Sequence, residues 1–250
     1  MNTRSKNYGR FYGVGAGPGD PELISLKALR VLREVDYIFC PDTGRKSSVQ
    51  ELIDLYGLEA KCHYLEFPML KNSADNTPYH DAAFAKIREL LLQSYNVAYL
   101  SLGDPSLYST YSPLQKRALE EGFEVETIAG IISPCALAAC ANRPLVEGRE
   151  ELLIVPALDE ERLQNLPDCA LALMKVKFHY DALIEELKKQ ERITDAYLGV
   201  RIGMSGEDLL YEPDLQDKPQ SYFSSINVRA KDKLRQACKS GIDSQEAKEQ

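Results

Sequence analysis

The chain contains no tryptophan, three histidines, and no apolar run near the ~18–20 residues that a membrane-spanning helix requires. His63, His80 and His179 are scattered among unrelated neighbours, with no H-E-x-x-H pattern and no visible triad. Chemistry centred on histidine therefore has no support. The six cysteines, at 40, 62, 135, 140, 169 and 238, form no C-x-x-C and have no histidine at ligand spacing. Reduced structural thiols are expected, and no protein-bound metal. Positive charge is scarce as well. Thirty Lys and Arg stand against 38 Asp and Glu, a net charge of −8, so nucleic acid is not an expected partner. The first eight residues are polar and lack a signal-peptide core, which points to a cytoplasmic protein with no membrane association.

Glycine is present where it matters. Two segments, Phe11-Tyr12-Gly13-Val14-Gly15-Ala16-Gly17-Pro18-Gly19-Asp20-Pro21 and Tyr99-Leu100-Ser101-Leu102-Gly103-Asp104-Pro105-Ser106-Leu107-Tyr108-Ser109-Thr110, each follow a short apolar run and lead into a helical pattern. In α/β proteins small molecules bind at such strand-to-helix turns. The first segment fails as a dinucleotide fingerprint. Pro18 occupies the third glycine position and removes an N–H, and Asp20 adds negative charge where phosphate would sit. No Lys-Ser/Thr pair follows, which excludes a Walker A loop. Asp20 and Pro21 read instead as the N-cap and first residue of a helix. In the second segment Gly103 permits close approach of another molecule and Asp104 is an anion at a strand end, with the Ser109 and Thr110 hydroxyls beyond it. An anion among carbonyls suits a cationic ligand better than a phosphate. Each loop taken alone is also compatible with a plain turn.

Strands are expected at 11–15, 37–40, 61–67, 97–101 and 124–128, separated by helical patterns. The clearest of these is 21–35, with Leu23, Leu26, Leu29 and Leu32 on one side. The alternation predicts a mainly parallel sheet covered on both faces. Residues 68–80 lack periodicity and read as a loop, either a lid or a connection. A helical stretch at 133–141 ends at Asn142-Arg143-Pro144, which sets expected domains at 9–142 and 143–230 and a polar tail at 231–250. The second half yields strands near 151–155, 170–174, 195–200 and 222–228 and a helix at 178–190. With fewer helices per strand, a mixed sheet is expected. The fold class is thus α/β, with two α/β domains.

The stretches GVGAGPGDPELISLKALRVLREVD, YLSLGDPSLYSTY and VETIAGIISPCALAACANRPLVEG, followed by ELLIVPA, together resemble the tetrapyrrole methylase family. These are the class III S-adenosylmethionine-dependent methyltransferases. The similarity is collinear from about Tyr12 to Val228. Gly-Asp-Pro followed by Leu-Tyr-Ser-Thr-Tyr, and the later Ser221-Tyr222-Phe223-Ser224, are most similar to the branch that methylates precorrin-2 at C20. One position departs: Ile132 stands where the family usually carries threonine.

The resemblance implies a homodimer with S-adenosylmethionine in a cleft between two α/β domains. Carried over by position, the donor contacts would be Pro18, Leu102, Gly103, Asp104 and Leu107, with Ser109 and Thr110 nearby, then Ile132, Ser133, Met174 and Ile202. It also implies a polycarboxylated tetrapyrrole substrate, which an acidic protein must meet with a local basic patch. Lys175, Arg201 and Arg45 are the leading candidates, beside Lys46, Arg143 and Lys177. Because the donor is already activated, no conspicuous catalytic constellation is expected, and no general base can be named; Tyr108 and Tyr111 are within reach but equally suit packing. Two other readings stay open. One is methylation of a different tetrapyrrole, such as uroporphyrinogen III; the other is a donor-binding regulatory protein without turnover.

Overall fold

The computed structural model describes residues 8–42, 49–68, 76–156, 160–211, 215 and 221–231. The chain separates into two compact units, Met1–Ile132 and Ser133–Gln250. The division falls before the helical stretch at 133–141, not after it as the sequence suggests. Asn142-Arg143-Pro144 ends a helix that already belongs to the second unit.

The first unit is built on strands β1 (Phe11–Gly15), β2 (Tyr37–Asp42), β3 (Cys62–Glu66), β4 (Val97–Ser101) and β5 (Val125–Ile128). All pair in parallel, in the order β3-β2-β4-β1-β5. Side chains alternate between two cores. On one face, Val14, Ile38, Ala98 and Leu100 pack with α1 (Leu26–Glu34) and α2 (Gln50–Tyr56). On the other, Phe11, Phe39, Val97 and Tyr99 meet α3 (Thr77–Leu92) and α4 (Tyr111–Glu120). The continuous apolar character of β4, buried at every position, follows from being covered on both sides.

Local signals divide the expected helix at 21–35. Asp20 accepts from the Glu22 N–H at 2.9 Å and caps only a 3₁₀ turn, Pro21–Leu23. The α-helix restarts under Ser25, whose hydroxyl accepts from the Ala28 N–H at 3.1 Å. That restart changes the buried face to Ala28, Val31 and Leu32, leaving Leu26 88% exposed. The segment read as a loop over 68–80 also ends early, because Thr77–His80 already belong to α3; residues 69–75 and the tail beyond 231 lie outside the described residues.

The second unit opens with α5 (Ser133–Cys140) and continues through β6 (Leu152–Val155), α6 (Glu160–Gln164), β7 (Ala170–Met174), α7 (Tyr180–Lys189), β8 (Ala196–Val200), β9 (Asp208–Tyr211) and β10 (Ser224–Val228). The sheet order is β6-β7-β10-β8-β9. β6 and β7 are parallel; β10 runs antiparallel to both β7 and β8, and β9 antiparallel to β8. The mixed sheet expected from the sequence is therefore present. One face packs Leu171, Leu173, Leu198 and Ile226 against α7. The other carries Ala170, Ala172 and Gly199, small enough to seat α5. A Cβ on Gly199 would lie 2.5 Å from the Leu137 side chain. Arg192 is fully buried, with its guanidinium donating to the carbonyls of Pro167, Cys169 and Arg229 at 2.7, 2.5 and 3.2 Å. Backbone dipoles thereby hold a charge whose pKa burial pulls down.

Candidate active site

In the first unit, β1 leads across β4 to β2, whereas β4 leads across β1 to β5. Their crossovers run in opposite directions over opposite faces, which makes the carboxyl ends of β1 and β4 the topological switch point where open α/β sheets bind ligands. Both glycine segments stand there, and the loop after β5 joins them.

The three loops are held together by backbone. The Ala16 N–H donates to the Ser101 carbonyl at 2.8 Å, and Gly17 and Gly103 exchange both hydrogen bonds, at 3.3 and 2.6 Å, as an isolated antiparallel bridge. Both have positive φ, +80° and +74°, which glycine adopts without strain. Contact with the third loop is closer still. A Cβ on Gly130 would lie 2.1 Å from the Gly103 carbonyl oxygen, and one on Gly15 would lie 2.6 Å from the Gly130 Cα. Gly15 and Gly130 therefore serve loop-to-loop approach. Beside this junction lies a recess of about 240 Å³ between Glu22–Ser25 and Ala129–Ile131.

Asp104 braces the junction. One carboxylate oxygen accepts from the Ser106 N–H at 2.7 Å and from its hydroxyl at 2.5 Å; the other accepts from the Gly130 N–H at 2.8 Å. Burial pushes this carboxyl's pKa up, but the bonds from Ser106 and Gly130 outweigh that and hold it below the ordinary value. Beneath the second loop, hydroxyls pair inward: Ser109 with Ser101 at 2.8 Å, Thr110 with Tyr99 at 2.6 Å, and Tyr111 with Thr127 at 3.2 Å. Tyr111 is 1% exposed under Gly13, whose Cβ would strike its ring at 2.2 Å, and burial raises its phenol pKa. That places Tyr111 in the core. Tyr108 is 49% exposed on the loop, in a left-handed conformation of φ +50°.

The sequence-derived residues thus divide. Pro18, Leu102, Gly103, Asp104 and Leu107 come together in the first unit's loops. Ser109 and Thr110 are there too, with their hydroxyls engaged within the protein. Ile132 closes the first unit and Ser133 starts α5. Met174 ends β7, with Lys175 next; Arg201 and Ile202 follow β8. Arg45 and Lys46 lie outside the described residues. Sequence reasoning missed Gly130, Ser101 and Tyr99 as partners of the second loop. A serine closing an otherwise apolar strand, with two hydroxyls one loop later, was the available signal.

Neither loop 16–20 nor loop 102–110 nor loop 129–132 contains Lys or Arg; their charged residues are Asp20 and Asp104. Such a site disfavours phosphate and accommodates a cationic ligand. The sequence pattern of the tetrapyrrole (corrin/porphyrin) methylases matches residues 10–218, taking in all three loops. The chain belongs to this family.

Among relatives of this tetrapyrrole methylase, a protein of Methanocaldococcus jannaschii named "probable cobalt-precorrin-2 C(20)-methyltransferase" is 44% identical over 149 residues, 59% of this chain and 64% of the relative. The match thus spans just under two thirds of that relative's length. A "cobalt-precorrin-2 C(20)-methyltransferase" of Salmonella typhimurium is 29% identical over 231 residues, covering 88% of this chain and 96% of the relative. A solved cobalt precorrin-4 methyltransferase superposes with a TM-score of 0.68 at 20% identity, over 92% of this chain and 97% of that one, and shares the fold.

Proposed function

We propose that the protein transfers a methyl group from S-adenosylmethionine to C20 of precorrin-2 or its cobalt-loaded counterpart, in corrin-ring synthesis. The observation that carries this reading is the three-loop junction at the switch point, which offers carbonyls and carboxylates and no cation. S-adenosylmethionine, when bound, supplies an electrophilic methyl on a sulfonium. Pro18, Leu102, Gly103, Asp104 and Leu107 would hold it, mostly through backbone atoms, and the apolar Leu23, Ile24 and Ile131 walls of the recess would exclude water. Because Asp104 already accepts three hydrogen bonds, it fixes the loops in register and contributes its charge at short range. Ile132, in place of threonine, removes one hydroxyl and leaves the backbone of the third loop in place, with the Gly130 N–H held by Asp104. We further read the protein as a cytoplasmic homodimer, in line with the family resemblance; sedimentation equilibrium tests the oligomer.

The deciding experiment supplies methyl-labelled S-adenosylmethionine and enzymatically made precorrin-2, with and without cobalt, and locates the methyl by NMR. Label at C20 is expected. Label at another ring carbon, or transfer only to uroporphyrinogen III, would reassign the substrate. Donor binding without any transfer would favour a regulatory protein.

A further inference from the structure

Among the described residues, six non-glycine residues have left-handed backbones: Ser94, Tyr108, Asn142, Lys175, Glu191 and Arg201. Three of them have an ordinary reason. Ser94, Asn142 and Glu191 follow helices, with N–H groups that bond back to Leu91, Ala139 and Lys188 at 3.1, 3.0 and 3.0 Å. Lys175 (φ +59°) precedes a 3₁₀ turn, Val176–His179, without a side-chain capping bond, and Arg201 (φ +53°) caps no helix end. They follow β7 and β8 directly. These strands run the same way because both pair antiparallel with β10, and the registers Met174↔Ser225 and Val200↔Ser224 put the two residues at one edge of the sheet. With one strand between them, their backbones stand roughly 10 Å apart, twice the spacing of neighbouring strands.

Both side chains are half-buried, and among the described residues neither forms an ion pair. The Lys175 ammonium lies 5.5 Å from the centre of the Tyr222 ring, and the Arg201 Nε donates to the Ser205 carbonyl at 2.6 Å. Glu207, the first carboxylate along the chain after Arg201, accepts from the Gly203 N–H and the Cys140 thiol instead. The Arg201 N–H bonds the Phe223 carbonyl at 2.7 Å, which ties its turn to the start of β10. Among the described residues, these two half-buried cations on strained backbones, in a chain of net charge −8, have no carboxylate partner of the kind that such groups ordinarily take. A left-handed residue with a side chain at the end of each of two strands is strain of the kind that gathers at binding sites.

We propose that Lys175 and Arg201 form a two-pronged clamp for separate carboxylates on the rim of a rigid polycarboxylated tetrapyrrole, a role that rests on the methyltransferase reading above. Two cations held by different partners, Lys175 by the Tyr222 ring and Arg201 by the Ser205 carbonyl, suit separate acidic groups on one rigid frame. Arg201 supplies a fork suited to a carboxylate, and Lys175 a point charge steadied by Tyr222.

Three measurements on the full-length protein test the clamp. The first is Lys175→Gln/Arg201→Gln turnover of precorrin-2. KM should rise at least ~10-fold with kcat within about twofold, the mark of lost uniform binding. The second is fluorescence titration with uroporphyrin, a stable polycarboxylated probe, whose affinity should fall by a similar factor in the double variant, while S-adenosylhomocysteine affinity by calorimetry stays unchanged. The third is melting of Lys175→Gly and Arg201→Gly, which should match or exceed wild type because glycine relieves the left-handed strain. Unchanged KM and uroporphyrin affinity in the double variant would overturn the clamp, as would a wild type that does not bind uroporphyrin. Lower melting of the glycine variants with intact substrate affinity would assign the two side chains to the fold and overturn it as well. If the wild type binds neither S-adenosylhomocysteine nor precorrin-2, the methyltransferase reading falls separately, and the uroporphyrin comparison still decides the clamp.

Discussion

Asp104 shows how a residue's role changes once its partners are known. Its position in a Gly-Asp-Pro turn suggests a side chain aimed at a ligand, yet both oxygens are bonded within the protein. Asp104→Asn should therefore cost about 1–2 kcal/mol of stability in urea unfolding, the range for a charge-assisted bond that is partly solvated, and should weaken S-adenosylhomocysteine binding in step. Because its folded pKa is depressed, its stabilising contribution is complete above the unfolded carboxyl's pKa of about 3.9 and is lost as pH falls through the lower folded value. The variant should accordingly lose part of the acid slope in stability. The cysteines carry the same lesson. Linear spacing links none of them, but Cys40 and Cys62 lie on neighbouring strands two register positions apart on one face. The influence of each thiol on the other is the largest on both, lowering the pKa of half-exposed Cys62 and, with burial, raising that of Cys40. Cys62 should alkylate with iodoacetamide faster than Cys169 at neutral pH, and Cys40→Ala should slow it, as read by mass spectrometry of the labelled peptides.

At the scale of elements, strands were more legible than helices. β1, β4 and β7 coincide with their apolar runs because burial on both faces removes polar interruptions. β9 was missed, since Asp208–Tyr211 is an edge strand with no fully buried residue. The 21–35 helix was misphased because the leucine repeat is visible in sequence, whereas the competition between Asp20 and Ser25 as caps is settled by packing. In sequence, Gly103 reads as room for another molecule, and Gly15 and Gly130 have no role assigned. Those two make room for other loops. Gly130→Ala should thus act as an overpacking change in the junction. A loss of ~1–3 kcal/mol is expected, with S-adenosylhomocysteine affinity falling at the same time. Gly13→Ala forces its methyl onto the Tyr111 ring, so Tyr111→Leu should partly rescue it. A double-mutant cycle in thermal or urea unfolding should give a favourable coupling of at least ~0.5 kcal/mol, and strict additivity would contradict the packing described.

Over the whole molecule, charge sets what each surface can attract. A net charge of −8 is consistent with first-unit loops free of cations, and it makes half-buried Lys175 and Arg201 of the second unit conspicuous. A ligand that binds only the folded state should raise the stability of the chain, by about 2.7 kcal/mol at a hundred times its dissociation constant. S-adenosylhomocysteine should do so in a thermal shift assay and NADH should not; a response to NADH alone would contradict the absence of a phosphate nest at Pro18 and Asp20. The two sheets also differ in when they can be completed. The first is finished by Ile128, so both glycine loops and their partner at Gly130 can assemble as soon as that stretch has left the ribosome. The second has β10 at its centre, between β7 and β8, and cannot close until Val228 has been made, roughly 5–20 s later at ordinary rates of synthesis. The nascent protein would hold its three-loop junction in finished form while the sheet that carries Lys175 and Arg201 still lacks its middle strand, so a chain stalled before Val228 would carry one completed sheet and one with two open edges at its centre.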